Sequence, residues 1–289
     1  MTDHYAEING IRLHYVAEGD KDAPLVILLH GFPEFWYAWR HQIPALSPYF
    51  RVVAPDMRGY NLSDKPKGIK NYQLTTLVAD IKALIEYVGH SKAYIVGHDW
   101  GGCVAWALAA WHPEVVEKMA ILNMPHPAEM HRQLLAFNRQ QWKKSWYVFF
   151  FQLPYLPEKQ LQSNLKSFFE AALRGWAVRK ESFSDADIAQ YITAFSSKNA
   201  FEGPINYYRA IMRSQGIFRK IGRATMPVLM LWGENDKALG KELAANTPNY
   251  CERLSLRYIP NCSHWIQHEY PELINGYLLD FLGGKKSEE

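Results

Sequence analysis

The stretch Ala93-Tyr94-Ile95-Val96-Gly97-His98-Asp99-Trp100-Gly101-Gly102, running on into the helix-prone segment from Cys103 to Trp111, decides the fold. A short apolar strand ends in Gly-x-Asp-x-Gly-Gly and a helix follows at once. Small residues at those positions allow a sharp strand-to-helix turn that holds the central side chain in a strained, exposed pose, the shape of a nucleophile elbow. The usual occupant is serine; here it is Asp99. Gly-x-Asp-x-Gly is a common loop composition, so the weight of the motif depends on what surrounds it.

Upstream, Leu25-Val26-Ile27-Leu28-Leu29 is a continuous apolar run of the kind buried on both faces of a parallel sheet, and it ends in the turn signal His30-Gly31-Phe32-Pro33. Arg51 to Ala54 is a second strand, stopped by Pro55-Asp56. Leu77, Ile81, Leu84, Ile85 and Val88 recur at helical spacing until Gly89. Lys118 to Leu122 is a further strand. This alternation predicts a mostly parallel, doubly wound α/β sheet.

From about Pro125 to Gly222 short β runs vanish and the chain turns helical and aromatic, with Trp142, Trp146, Phe149, Phe150, Phe151, Phe168, Phe169 and Trp176. Most of those rings are expected to form a core of their own. Sheet character returns at Pro227 to Trp232 and at Leu254 to Ile259. The expected organisation is a core in two parts, 1–124 and 223–289, with a helical cap inserted at 125–222. The polar tail from Gly283 to Glu289 is expected to fray.

Bulk composition fits a globular enzyme of 289 residues, 48% hydrophobic and 21% charged. The net charge of +3 argues for neither nucleic acid nor a membrane surface as a partner. Cys103, Cys251 and Cys262 have no metal-type spacing and read as free thiols in a reducing compartment, and no signal segment follows Met1. A cytoplasmic location is the expectation.

Replacing serine by aspartate changes the chemistry. A carboxylate, with an unperturbed pKa of about 3.9, is already anionic at neutral pH. It acylates poorly, because the product would be an anhydride, but it can displace a leaving group from an electrophilic sp³ carbon and form an alkyl ester. Epoxides and carbon–halogen bonds are the substrates this suggests. Water must then attack the carboxyl carbon of Asp99, which requires a base and an oxyanion hole.

In such an architecture the nucleophile is followed by an acid and then a histidine. Trp232-Gly233-Glu234-Asn235-Asp236 follows one strand and His264 follows the last. His264 is the expected base, oriented by Asp236, with Glu234 the competitor in the same loop. The turn after Lys118 to Leu122 is another place for an acid, but it holds Asn123. His264 and His268 have the i, i+4 spacing of a zinc helix, yet Trp265 stands where the metalloprotease motif has Glu, so no metal is expected. Backbone N–H groups of Phe32 and Trp100 are expected to form the oxyanion hole.

Together these pieces resemble the soluble epoxide hydrolase family of the α/β-hydrolase superfamily over nearly the whole chain. The segments His30-Gly31-Phe32-Pro33-Glu34-Phe35-Trp36 and Gly97 to Gly102 are similar to that family's oxyanion region and elbow. The resemblance implies two cap tyrosines that hold and protonate the epoxide oxygen. Tyr147 lies four residues before Phe151-Gln152-Leu153-Pro154, and Tyr208 lies in Asn206-Tyr207-Tyr208-Arg209, where Tyr207 remains an alternative. It also implies that Glu34 and His98 position the hydrolytic water. Ser263 departs from the glycine that many relatives have before the base, which puts the tightness of that loop in question. Haloalkane dehalogenases share the Asp elbow, and Trp100 suits a halide donor, but many carry Asn where Phe32 stands and need no tyrosine pair. Fluoroacetate dehalogenases, similar around the first cap motif, have Arg where Trp100 stands and Trp where Tyr147 stands. A non-catalytic hydrolase-fold receptor is disfavoured by the intact Asp99, Asp236, His264 set. The expectation is a cofactor-independent enzyme acting on a small apolar epoxide.

Overall fold

A computed structural model describes residues 1–136, 139–214 and 216–283; the predicted frayed tail beyond Gly283 lies outside the described residues. Among the described residues eight strands form one sheet in the order β1-β2-β4-β3-β5-β6-β7-β8. These are β1 Thr2–Ile8, β2 Ile11–Glu18, β3 Leu25–Leu29, β4 Arg51–Pro55, β5 Ala93–His98, β6 Val116–Leu122, β7 Ala224–Gly233 and β8 Cys251–Ile259. From β4 to β8 every neighbouring pair is parallel, whereas β1 and β2, and β2 and β4, pair antiparallel.

The apolar run of β3 is buried along its whole length, and its residues divide by the period of two that a strand imposes. Leu25, Ile27 and Leu29 join one hydrophobic cluster, while Val26 and Leu28 join the cluster on the opposite face. Both faces of the sheet are therefore covered, as the continuous run predicts.

The hairpin β1–β2 was not among the expected strands. Asn9 and Gly10 connect it with φ of 45° and 74°, the paired positive values of a two-residue hairpin turn that an Asn-Gly dipeptide accommodates. The dipeptide was legible; the polar residues alternating through β1 hid the strand beside it.

Between the adjacent parallel strands β6 and β7 the described chain runs through helical segments, among them Pro127–Leu135, Arg139–Lys144, Trp146–Phe150, Asp185–Ala194 and Glu202–Arg213. This insertion is fastened over the C-terminal ends of the strands. Lys144 Nζ donates to the Asp236 carbonyl at 2.7 Å, Trp265 Nε1 donates to the Ala172 carbonyl at 3.1 Å, and Arg40 pairs with Asp187 at 3.0 Å. Of its eight aromatic rings, Phe151 and Phe169 are buried in the larger hydrophobic cluster and Phe150, Phe168 and Trp176 pack against it, as expected of most of them, while Trp142, Trp146 and Phe149 are exposed. No described helix is long and apolar enough to cross a membrane.

Candidate active site

Asp99 follows the end of β5 and caps the helix Trp100–Trp111, with φ 49° and ψ −120°. That left-handed backbone is costly for a non-glycine residue and is held by close packing beneath it. A Cβ on Gly101 would stand 2.1 Å from the Leu29 carbonyl oxygen, and one on Gly97 would stand 2.6 Å from the Gly101 carbonyl oxygen. Only glycine lets the helix start this near β3, and the elbow follows from that approach.

The Phe32 N–H donates to Asp99 Oδ1 at 2.9 Å. Gly31, one residue earlier, is equally constrained, since a Cβ there would meet Asp99 Cβ at 2.4 Å. Trp100 opens the helix, so its N–H is among the first-turn donors left without an intrahelical partner.

On the other side of Asp99, His264 Nε2 stands 3.6 Å from Oδ2, and His264 Nδ1 lies 2.7 Å from Asp236 Oδ2. Asp236 is fixed by four donors. Its Oδ1 accepts from the N–H groups of Ala238 at 2.7 Å and Leu239 at 2.9 Å, and its Oδ2 accepts from Asn123 Nδ2 at 2.6 Å as well as from the imidazole. Glu234 takes no part in this arrangement and pairs with Lys241 at 3.0 Å. Asn123 holds the acid in place, and its Oδ1 accepts from the Gly233 N–H at 2.9 Å.

The electrostatics follow from burial and charge. Burial pushes Asp99 up, but the neighbouring imidazole and the Phe32 N–H outweigh it and hold the carboxyl below its ordinary value. Burial pushes His264 down, yet Asp236 and Asp99 flank it and raise it to about 10. Burial raises all three cysteine thiols, Cys251 to about 12, which makes them poor nucleophiles.

Two apolar cavities meet at Asp99. One of about 240 Å³ is lined by Phe32, Trp146, Leu161, Phe168, Trp176 and His264. The other, about 350 Å³, is lined by Trp100, Met130, Trp142, Phe149, Met212 and Phe218. Asp99, Tyr147 and Tyr208 line both. The rings of Tyr147 and Tyr208 lie 5.9 Å apart, and burial together with the charge of Asp99 pushes both phenols above their ordinary range. Tyr207 lines neither cavity; its hydroxyl donates to the Arg58 carbonyl at 2.8 Å.

Glu34 and His98 are fully buried behind the base and line neither cavity. His98 Nδ1 lies 2.8 Å from Glu34 Oε2, and its Nε2 donates to the His264 carbonyl at 2.9 Å. Glu34 Oε1 also contacts His268 Nε2 at 2.8 Å, and Arg40 donates to His268 Nδ1 at 2.7 Å. Burial pushes Glu34 up, but His98 and His268 reverse this and hold it well below the carboxylate range. Sequence reasoning placed Arg40 in the oxyanion region by resemblance without giving it a role, and missed the use of His268, which turns to Glu34. Ser263 accepts from the Trp265 N–H at 3.2 Å and is tied to Glu269, so its side chain helps to fix the loop.

The model of the α/β hydrolase fold family matches residues 24–271. "Epoxide hydrolase 4" of Homo sapiens is 40% identical over 95% of this chain and 76% of its own length, and "Epoxide hydrolase 2" of Caenorhabditis elegans is 37% identical over 96% and 79%. The chain belongs to the epoxide hydrolase family of α/β-hydrolases. The crystal structure of a Bacillus megaterium epoxide hydrolase in complex with an inhibitor matches 97% of this chain and 100% of that one, with a TM-score of 0.89 and 32% identity. "AB hydrolase superfamily protein YfhM" of Bacillus subtilis is 42% identical over 96% of both chains. An epoxide hydrolase fold and an Asp-centred elbow thus coincide in one molecule.

Proposed function

We propose that this epoxide hydrolase opens a small apolar epoxide to a vicinal diol through an alkyl ester on Asp99. The observation that carries the proposal is that Asp99, His264 and both tyrosines line one cavity. A carboxylate oxygen of Asp99 attacks a ring carbon as the carbon–oxygen bond breaks, and the departing oxygen takes a proton from Tyr147 or Tyr208. Their raised pKa values keep both phenols protonated until that moment.

His264 then takes a proton from water, and the hydroxide adds to the carboxyl carbon of Asp99. The N–H groups of Phe32 and Trp100 face the developing oxyanion. Collapse releases the diol oxygen, which recovers the proton from His264. The second proton of the water restores the tyrosine, so the balance is epoxide plus water to diol, and no cofactor enters. Asp236 orients the imidazole and stabilises its charged form. Glu34 and His98 act by holding the backbone of His264 through the bond to its carbonyl, with His98 as the link between them. The helical insertion, residues 125–222, serves as a cap that excludes water and supplies the tyrosines.

A panel of aryl and alkyl epoxides assayed beside alkyl halides tests the reaction. Diol formation with no halide release is expected; halide release with no epoxide turnover would replace the reading with dehalogenation. In a single turnover in heavy-oxygen water, the label should enter Asp99 while the first diol carries unlabelled oxygen. Label found directly in that diol would exclude the ester.

A further inference from the structure

The net charge of +3 conceals a division. Residues 125–222 carry 14 Lys and Arg against 7 Asp and Glu, a net of +7, whereas the remainder carries 18 against 22, a net of −4. Charge asymmetry of this kind between parts of a chain points to an anionic partner for the basic part.

The basic segment also bears a cluster of exposed apolar side chains. Trp146 is 62% exposed, and Leu135, Trp142, Phe149 and Met212 are exposed as well. They are neighbours: Trp142 stacks on Phe149 with ring centroids 5.1 Å apart, and Leu135, Trp142, Phe149 and Met212 line one cavity together. Trp146 lines the other. The lipophilic rim therefore lies where both cavities reach the surface. Among the described residues no carboxylate lines either cavity except Asp99 in their depth. Exposed cations adjoin these residues in the chain: Lys143 follows Trp142, and Arg219 and Lys220 follow Phe218, which lines the larger cavity.

We infer that this face of the cap docks on an anionic lipid surface, with Trp146 and its neighbours in the headgroup region and the cations against lipid phosphates. Tryptophan favours that interface, and a cluster of Lys and Arg adds attraction that salt screens. A second copy of the chain is a poorer occupant, because pairing the faces would set Lys143, Arg219 and Lys220 of each copy against those of the other. Docking places the mouths of both cavities on the phase in which an apolar epoxide dissolves. That last consequence rests on the proposed epoxide activity; the docking itself does not.

Flotation with vesicles of phosphatidylcholine alone, and of an equimolar mixture with phosphatidylglycerol, tests the docking without any turnover readout. The protein should float with the anionic vesicles at low ionic strength and leave them as salt is raised. Combining Lys143→Glu, Arg219→Glu and Lys220→Glu should weaken binding by roughly tenfold or more while turnover of a water-soluble epoxide stays unchanged. Trp146→Ser should weaken binding to the same vesicles at fixed salt. No flotation of the wild-type protein, or binding indifferent to charge reversal, would overturn the inference. So would light scattering that shows a dimer which Trp146→Ser dissociates, since a second copy would then cover the face. An enzyme that floats but turns over no epoxide would sink the catalytic proposal alone.

Discussion

His264 Nε2 stands 3.6 Å from Asp99 Oδ2, too far for a hydrogen bond and near enough for strong charge coupling. With Asp236 on its other nitrogen, the imidazole sits between two carboxylates and holds a proton up to about pH 10. In the proposed reaction, esterification of Asp99 would remove one of those charges and lower the affinity for the proton when a neutral base is needed. Asp99→Asn mimics that change, and NMR titration of the His264 ring should find a lower pKa in the variant than in the wild type. An unchanged value would show that Asp99 does not set it. The sign for stability is also fixed: the folded value exceeds the unfolded one of about 6.5. The pair's contribution is therefore complete below pH 6.5 and is lost as pH rises through about 10, which urea unfolding of wild type and Asp99→Asn across that window should reveal.

The two tyrosines should act on ring opening alone. Tyr147→Phe and Tyr208→Phe are each expected to slow ester formation by about 10²-fold or more in rapid-quench single turnovers, with hydrolysis of any ester formed left near its wild-type rate. Tyr207→Phe is the control. It should keep activity within a few-fold and lose about 1 kcal/mol of stability, because its hydroxyl serves the Arg58 carbonyl.

Asn123 should act on the second half of the reaction. Asn123→Ala removes one donor from Asp236 and strands the Gly233 N–H, at a cost of about 1–3 kcal/mol in stability. Ester hydrolysis should slow while ester formation persists, so a pre-steady-state burst should grow. Equal loss of both steps would place Asn123 outside the base's support.

Gly101 carries the elbow. Gly101→Ala puts a methyl group 2.1 Å from the Leu29 carbonyl oxygen, and backbone cannot rotate away as a side chain can. A loss of about 3 kcal/mol or more is expected by thermal or chemical unfolding. A variant of wild-type stability would mean that the helix start can move.

Much of the core was legible because parallel strands buried on both faces write themselves as unbroken apolar runs, as Leu25 to Leu29 does. The chain order of Asp99, Asp236 and His264 was legible for the same reason, since each follows a strand end. Other parts depend on contacts that no local pattern encodes. Arg40 meets His268 across 228 residues, and Glu34 is tied to the last histidines only once the sheet has formed. Tyr207 and Tyr208 are adjacent on the helix Glu202–Arg213, so they point about 100° apart, and sequence context alone left the choice between them open. Which rings of the insertion reach the surface was not legible, because composition measures how many rings are present and is silent on which way they face.

The two cavities that share Asp99 differ in size, about 240 Å³ against 350 Å³. For an epoxide with two unlike substituents, exchanging the arms between them also exchanges which ring carbon is presented to the carboxylate. On the proposed reaction, regiochemistry would then become a question of fit by length, with the longer arm in the roomier side and the carbon attacked set by the far ends of the molecule.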